Sequence, residues 1–175
     1  MTDALFETEL RTERLLLSPL QTQHADELFP VLDDERLRTF IGGAPLALED
    51  LRRRYSSLAS RHSPDGAEIW LNWIIRRLSD QAALGVIEAT VSNRSASIAW
   101  IVGTQWQGRG YASEAARAAV EWSFENLEVD AVVAHIHPAH HASERVAAHA
   151  GLTITDQVVD GECVWRLSRR SFTVR

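Results

Sequence analysis

The segment from Gln107 to Ala112 reads Gln-Gly-Arg-Gly-Tyr-Ala and constrains the fold of this chain more than any other. It joins a strand-like run, Ser97–Val102, to a helical run, Ala112–Leu127. Two glycines separated by one residue let the backbone turn sharply and approach a ligand closely. A helix that begins directly after them presents unpaired N–H groups and the positive end of its dipole. The pattern therefore predicts a strand–turn–helix unit with an anion site suited to phosphate or pyrophosphate.

The remaining periodicities predict a mixed α/β fold, with one domain over residues 1–175. Apolar residues at helical spacing mark two helices before the glycine segment. Three strand-like runs between turn signals indicate an antiparallel meander that leads into it. Asp160-Gly161, between two later runs, is a strong hairpin signal. The predicted elements are, in order, strand Leu10–Leu20, helices His24–Leu32 and Leu48–Leu58, strands Glu68–Leu78, Leu84–Val91 and Ser97–Val102, helix Ala112–Leu127, strand Ala131–Ile136, helix Ala142–Ala150, and strands Thr153–Val159 and Glu162–Leu167.

The composition argues against several classes of function. The formal net charge is -6, which disfavours nucleic-acid binding through a basic surface. The single cysteine, Cys163, excludes an intrachain disulfide and a cysteine-based zinc site. The sequence has no apolar run of membrane-spanning length and no leader-like first segment, so we expect a cytoplasmic protein without a membrane partner.

Two familiar phosphate loops do not fit the glycine segment. A Walker loop needs a lysine after its last glycine, and the sequence contains no lysine. A dinucleotide fingerprint needs a preceding parallel strand and an acidic residue at the end of a following strand. The preceding run here belongs to the expected antiparallel meander, and no acidic residue has that spacing. A different kind of loop for a nucleotide-bearing cofactor is therefore expected.

With its neighbours, the glycine segment resembles motif A of the GNAT acyl-CoA N-acyltransferases. The resemblance is closest to the RimJ/RimL-like branch, whose signature runs Arg/Gln-Gly-x-Gly-Tyr-Ala-x-Glu-Ala; here Ser113-Glu114-Ala115 completes it. Thr12–Leu17 is similar to the opening strand of that branch, His137–Leu152 to its later motif, and Asp160–Leu167 to its closing hairpin. The resemblance covers nearly the whole chain. It implies the GNAT fold, a mostly antiparallel sheet with splayed parallel middle strands and flanking helices.

The resemblance also implies that acetyl-CoA is the co-substrate. N–H groups of the glycine segment would hold the coenzyme A pyrophosphate. Backbone groups of Ile101 and Val102 would pair with the pantetheine arm as an added strand does, and an N–H near Ile101 would stabilise the oxyanion. His140 stands where the family has an Asn. The residues expected to contact the cofactor are Ile101, Val102, Gln107, Gly108, Arg109, Gly110, Tyr111, Ala112, Ser113 and His140.

The later motif departs from the family where many relatives carry a tyrosine that protonates the departing thiolate. Ala147 occupies that place, and Leu152 replaces the usual Phe after Gly151. Ser143 matches the family's Ser/Ala position and is the natural substitute for the proton donor. A serine in the first turn of a short helix is equally well explained as a cap.

The attacking amine must lose a proton, and the candidate bases lie on two strands. Glu88 is mid-strand on the face of Val86 and Thr90, where it faces either the substrate cleft or water. His135 and His137 are expected on one side of their strand, and either accepts a proton near neutral pH. Histidines that only pack against their neighbours are the alternative.

Four histidines close in sequence also invite a metal interpretation. The family needs no metal, and no carboxylate suited to orient such ligands is evident nearby, so we expect none. The residues concerned are His135, His137, His140 and His141.

These observations predict an N-acetyltransferase that transfers an acetyl group from acetyl-CoA to a primary amine by direct attack in a ternary complex. The catalytic candidates are Ser143, Glu88 and His137. The acceptor is a protein N-terminus or a small-molecule amine, and the protein is a monomer or a homodimer. Because the family's Tyr and Asn are missing, a non-catalytic acyl-CoA-binding sensor or assembly module is the alternative.

Overall fold

A computed structural model describes residues 5–173. Its strands and helices follow one another along the chain as the periodicities predict, with one strand more. The strands are β1 (Leu10–Arg11), β2 (Leu15–Pro19), β3 (Ile69–Arg77), β4 (Ala83–Ser92), β5 (Ser95–Val102), β6 (Ala131–Ile136), β7 (Thr153–Val159) and β8 (Glu162–Ser168), and the α-helices are α1 (His24–Leu32), α2 (Leu48–Leu58), α3 (Tyr111–Asn126) and α4 (His141–His149).

All of these strands belong to one eight-stranded sheet, in the order β1-β2-β3-β4-β5-β6-β8-β7. Neighbouring strands are antiparallel except β5 and β6, which run parallel. The β3–β4–β5 meander is joined by tight turns, whereas α3 carries the chain from β5 to β6. The mixed α/β, mostly antiparallel fold with a parallel middle pair is therefore confirmed.

Each face of the sheet packs against its own pair of helices. Small residues of α3 lie flat on one face: Ala115, Ala116 and Ala119 are all 0% exposed. That core also contains Ile87 of β4 and Ala147 of α4. Helices α1 and α2 cover the other face, against residues such as Val86. Because side chains alternate along a strand, each β4 or β5 residue can be assigned to the α3/α4 face or the α1/α2 face.

The predicted first strand, Leu10–Leu20, is instead two short antiparallel strands. Thr12 causes the break, because its N–H donates to Leu15 O (2.9 Å) and its hydroxyl accepts from Leu15 N–H (3.0 Å). These bonds close a tight turn between β1 and β2. Among the residues described, no helix has the length and apolar character needed to cross a membrane.

Candidate functional site

The glycine segment, Gln107–Ala112, forms a loop that leads into the first turn of α3; we call it the glycine loop. Gly108 and Gly110 have φ angles of 72° and 80°, in the left-handed region that favours glycine. A Cβ added at Gly108 would meet no atom within 4 Å, so this side of the loop is open. Glu114 N–H donates to Gly110 O at 3.0 Å, whereas helix geometry leaves the N–H groups of residues 111–113 without intrahelical acceptors. The residues present therefore fit a diphosphate group.

The loop side chains are engaged by the protein itself. Tyr111 is 8% exposed and packs in the α3/α4-side core. The Gln107 side-chain Nε2 donates to Val102 O at 3.0 Å. The Arg109 guanidinium lies 5.5 Å from the centre of the Trp106 ring. The parts of the loop left for an anion are thus its backbone N–H groups and the exposed Arg109 guanidinium.

The parallel strands β5 and β6 separate close to where they begin. They pair only through Ser95–Ser97 of β5 and Ala131–Val133 of β6. Strand β5 nevertheless continues to Val102 and β6 to Ile136. We call the gap between residues 98–102 of β5 and residues 134–136 of β6 the wedge. It opens toward the same end of β5 as the glycine loop.

The register of β5 decides which of its backbone groups face the wedge. Gly103 N–H donates to Leu84 O of β4 at 2.9 Å. Since antiparallel neighbours alternate, Ile101, paired with Val86, directs its N–H and C=O toward β4. Trp100 and Val102 direct theirs toward the wedge. This corrects the sequence-based placement of Ile101 at the gap; Trp100 takes its place.

Ser143 lies in the first turn of α4, beside the wedge. The Trp100 indole Nε1–H donates to Ser143 Oγ at 3.3 Å. Trp100 packs against the α3/α4-side core, so this contact lies on that face of the sheet. Because the hydroxyl oxygen accepts from Trp100, its own proton is left to donate to another acceptor. Ser143 N–H donates to His140 O at 2.9 Å, which is an ordinary turn bond and not a side-chain cap.

Glu88 lies on the opposite face. Its carboxylate Oε2 is 2.5 Å from Arg54 Nη2 of α2, and the side chain is 26% exposed. The register places Asn72 of β3, Glu88 of β4 and Ala99 of β5 in one row across the sheet. Ala99 is small and exposed, which leaves room between Glu88 and the wedge. Glu88 and Ser143 therefore lie on opposite faces, and the wedge connects those faces.

Of the four histidines, His135 is an exposed residue of β6, His137 and His140 lie in the turn between β6 and α4 (the histidine turn), and His141 begins α4. Strand β6 ends at Ile136, so His137 lies outside the strand and does not follow its alternation, contrary to expectation. His137 Nδ1 accepts from Ala139 N–H at 3.1 Å, which leaves the neutral ring with its proton on Nε2. In that tautomer the other ring nitrogen, Nε2, is a hydrogen-bond donor. Within residues 5–173, no three or more His, Cys, Asp or Glu residues are grouped to hold a metal ion.

His140 is half-buried against a residue from the far side of the wedge. The Phe40 ring, from the loop between α1 and α2, stacks on the His140 imidazole with centroids 4.3 Å apart. Burial, together with the nearby charge of His137, lowers the pKa of His140 below its ordinary value, although Glu144 opposes the shift. The neutral imidazole is therefore favoured at this position.

Two cavities lie at the other end of the sheet. Their volumes are about 440 and 610 Å³, and both are lined by Arg94, Asn126, Leu127 and Glu128. These residues belong to the β4–β5 turn and the end of α3, which is the end opposite the glycine loop. The glycine loop, Ser143 and the histidine turn take no part in lining either cavity.

A profile of the family described as Acetyltransferase (GNAT) domain matches residues 14–153. The chain belongs to the GNAT acetyltransferases. This membership supports acyl-CoA-dependent N-acetyltransferase activity in general, and it agrees with the parallel strand pair that separates beside a glycine loop. The profile includes every residue of the site described above.

Individual relatives of this GNAT protein extend over most of its length. The uncharacterized protein YkkB of Bacillus subtilis is 27% identical over 150 residues, which cover 83% of this chain and 85% of YkkB. The structure of an acetyltransferase from Agrobacterium tumefaciens is 27% identical, with a TM-score of 0.74, and the match covers 91% of this chain and 94% of that one. RimL, a ribosomal alpha-N-protein acetyltransferase solved in complex with coenzyme A, has the same fold, with a TM-score of 0.78 at 15% identity; the match covers 94% and 100% of the two chains.

Several residues at the site of this GNAT protein were missed by sequence reasoning. Trp100 reaches Ser143 across 43 positions, and Arg54 reaches Glu88 across 34. Arg14 contacts Glu114 and the glycine loop, and Phe40 contacts His140. Of these residues, only Arg54 could have been found from a sequence pattern, since it follows Arg52 and Arg53 on the polar side of the amphipathic helix α2.

Proposed function

We propose that this protein transfers the acetyl group of acetyl-CoA to a primary amine by direct attack within a ternary complex. One observation carries the proposal: the wedge leads from the glycine loop through the sheet, with Ser143 on one face and Glu88 on the other. Such a passage lets a thioester enter from one face and an amine from the other. The acceptor is a protein N-terminus or a small-molecule amine, and the RimJ/RimL-like branch is the proposed place of the chain within the family.

The glycine loop and β5 are proposed to hold the coenzyme. The N–H groups at positions 110–113 would bind the pyrophosphate oxygens. Backbone groups of Trp100 and Val102 would pair with the pantetheine amides, in the way that an edge strand accepts another strand. Val102 O already accepts from Gln107, so Trp100 offers the freer N–H and C=O. The coenzyme A bound to RimL supports this use of the fold.

The proposed chemistry divides between the two faces. The amine nitrogen forms a bond to the thioester carbon while the carbon–sulfur bond breaks. Glu88, directly or through one water, takes the proton that the amine loses. It lies one strand from the wedge, and strands are about 4.8 Å apart, which is within reach of a carboxylate and one water. On the other face the Ser143 hydroxyl donates its proton to the sulfur that leaves, while Trp100 holds its oxygen.

A non-catalytic acyl-CoA sensor is the second candidate. The observation that favours it is His140, which stacks on Phe40 where relatives have an Asn. Incubating the protein with acetyl-CoA and a panel of primary amines, with detection of free thiol, separates the two. Amine-dependent thiol release supports the transferase. Tight binding of acetyl-CoA without thiol release across N-terminal peptides, polyamines and amino sugars supports the sensor.

Two substitutions test the assigned roles once an acceptor is found. Ser143→Ala and Glu88→Gln are each expected to lower kcat about 100-fold, the lower end of general acid–base effects. Neither should change the Kd for coenzyme A, because neither is placed on the pyrophosphate. Ser171→Ala and Glu125→Gln, exposed residues elsewhere, are the matched controls. Parent-level kcat in either test variant would remove that residue from the chemistry.

A further inference from the structure

A carboxylate in the first turn of α3 holds the turn between β1 and β2. Glu114 accepts the Thr12 hydroxyl at 2.6 Å, the Arg14 N–H at 2.9 Å and the Arg14 Nε–H at 2.7 Å. Its side chain is 17% exposed. Burial raises the pKa of Glu114, but the hydrogen bonds from Thr12 and Arg14 outweigh that effect, so the pKa lies below its ordinary value. The ionised carboxylate thus fixes the position of Arg14.

Arg14 in turn contacts three consecutive residues of the glycine segment. Its Nη1–H donates to Arg109 O at 3.0 Å. Its Nη2 lies 3.3 Å from where a Cβ would stand on Gly110. Its guanidinium carbon is 4.8 Å from the centre of the Tyr111 ring. The planar group therefore lies along one side of the loop, with its charge partly neutralised by Glu114.

The bond to Arg109 O determines the direction of the next N–H group. The carbonyl of residue 109 and the N–H of Gly110 belong to one planar trans peptide, in which they point in opposite directions. Holding the carbonyl toward Arg14 turns the Gly110 N–H to the opposite side, away from the guanidinium. Glycines on both sides of residue 109 would otherwise let this peptide rotate.

We propose that Arg14, anchored by Glu114, is a positioning residue that orients the 109–110 peptide for the coenzyme A pyrophosphate. The inference rests on the proposed use of the glycine loop. Arg14 acts through the backbone, because its Nε–H donates to Glu114 and an Nη1–H donates to Arg109 O, and these two bonds fix the carbonyl of the 109–110 peptide. A lysine cannot replace it, since a single ammonium lacks the fork needed to bridge both partners.

Kinetics with two acyl donors test this role. Arg14→Met is expected to raise KM for acetyl-CoA and Kd for coenzyme A roughly 10- to 100-fold, with kcat nearly unchanged, because one charge-dependent set of hydrogen bonds is lost. Acetyl-pantetheine lacks the pyrophosphate, so kcat/KM with this donor should stay within about twofold of the parent. A general loss of structure would lower activity with both donors. Arg11→Met, on the same hairpin and exposed, is the matched control.

Two further variants make the outcome decisive. Arg14→Lys should fail to restore coenzyme A affinity, and Glu114→Gln should lower the affinity without changing kcat. Parent-level affinity in Arg14→Lys, or equal losses with both donors in Arg14→Met, would overturn the positioning role. If the parent itself binds no coenzyme A, the proposed function fails; if the parent and Arg14→Met bind it equally, only this inference fails.

Discussion

Gly85 lies on β4 against β5, beside the mouth of the wedge. A Cβ at this position would stand 1.9 Å from Ile101 O and 2.9 Å from Val102 Cα. Both are backbone atoms of the strand that borders the wedge, so neither can move without breaking the β4–β5 register. Gly85→Ala is therefore expected to lower the free energy of unfolding by about 3 kcal/mol, at the upper end of overpacking effects.

Urea unfolding of Gly85→Ala and of Gly66→Ala separates steric overlap from backbone preference. Gly66 has a φ of 70°, and an added Cβ there meets no atom within 4 Å. Its substitution should cost only about 1 kcal/mol, the penalty for a left-handed alanine. Equal losses in the two variants would contradict the overlap at Gly85.

The helices and strands differ in how far local sequence determines them. Helices α1 and α2 have the predicted bounds, because an amphipathic stripe records both the period and the ends of a helix. The break between β1 and β2 was missed, because neither the Thr12–Leu15 bonds that close the turn nor the contact from Glu114, 102 positions away, leaves a periodic pattern. Alternation assigned Glu88 to the face of Val86, but its partner Arg54 belongs to another element. Contacts between distant elements leave no periodic signal.

The end of α3 is held by an arginine from beyond β8. Arg169 donates from Nε to Val129 O (2.7 Å), from Nη1 to Phe124 O (2.7 Å) and from Nη2 to Leu127 O (2.6 Å). Carbonyls at a helix C-terminus lack intrahelical donors and carry partial negative charge. Arg169→Ala should lower the free energy of unfolding by about 2 kcal/mol, the value of one or two hydrogen bonds to a charged group.

Thermal unfolding checks the Arg169 contact. A loss of about 2 kcal/mol corresponds to a fall in Tm of roughly 4–8 °C for a chain of this size. Arg170→Ala removes the same side chain from the adjacent exposed position and should leave Tm within about 1 °C, as surface substitutions do. A fall of the same size in both variants would mean that the helix end does not depend on Arg169.

At the scale of the molecule, the sheet has two halves whose strands, within residues 5–173, pair with each other only at the closed end of the wedge. Three β5–β6 residue pairs join them there, supported by the ion pair between Arg94 and Asp130 at 2.8 Å. This division could not be predicted from periodicity, which shows that strands exist and not where two of them separate. Resemblance to the GNAT family supplied it, and the register then showed that Trp100, and not Ile101, faces the gap.

Across the open end of the wedge, the two halves are joined by the stack of Phe40 on His140. Burial is the main cause that lowers the pKa of His140 below its ordinary 6.5. The unfolded chain therefore takes up a proton at this residue near pH 6.5, whereas the folded chain takes it up at lower pH. The stability that depends on neutral His140 is complete above pH 6.5 and is lost as the pH falls below it.

Phe40→Ala removes the ring that buries the imidazole. The pKa of His140 should then rise toward its ordinary value. The free energy of unfolding should therefore decrease less between pH 7.5 and pH 5.5 in the variant than in the parent. Histidine titration by NMR gives the pKa, and urea unfolding at the two pH values gives the decrease in the free energy of unfolding.

His24, whose pKa burial also lowers, contributes equally to both proteins and cancels in the comparison. Ile41→Ala changes the adjacent residue, which is 50% exposed, and should leave the pKa of His140 unchanged. An unaltered His140 pKa in Phe40→Ala would show that the Phe40 ring does not bury the imidazole.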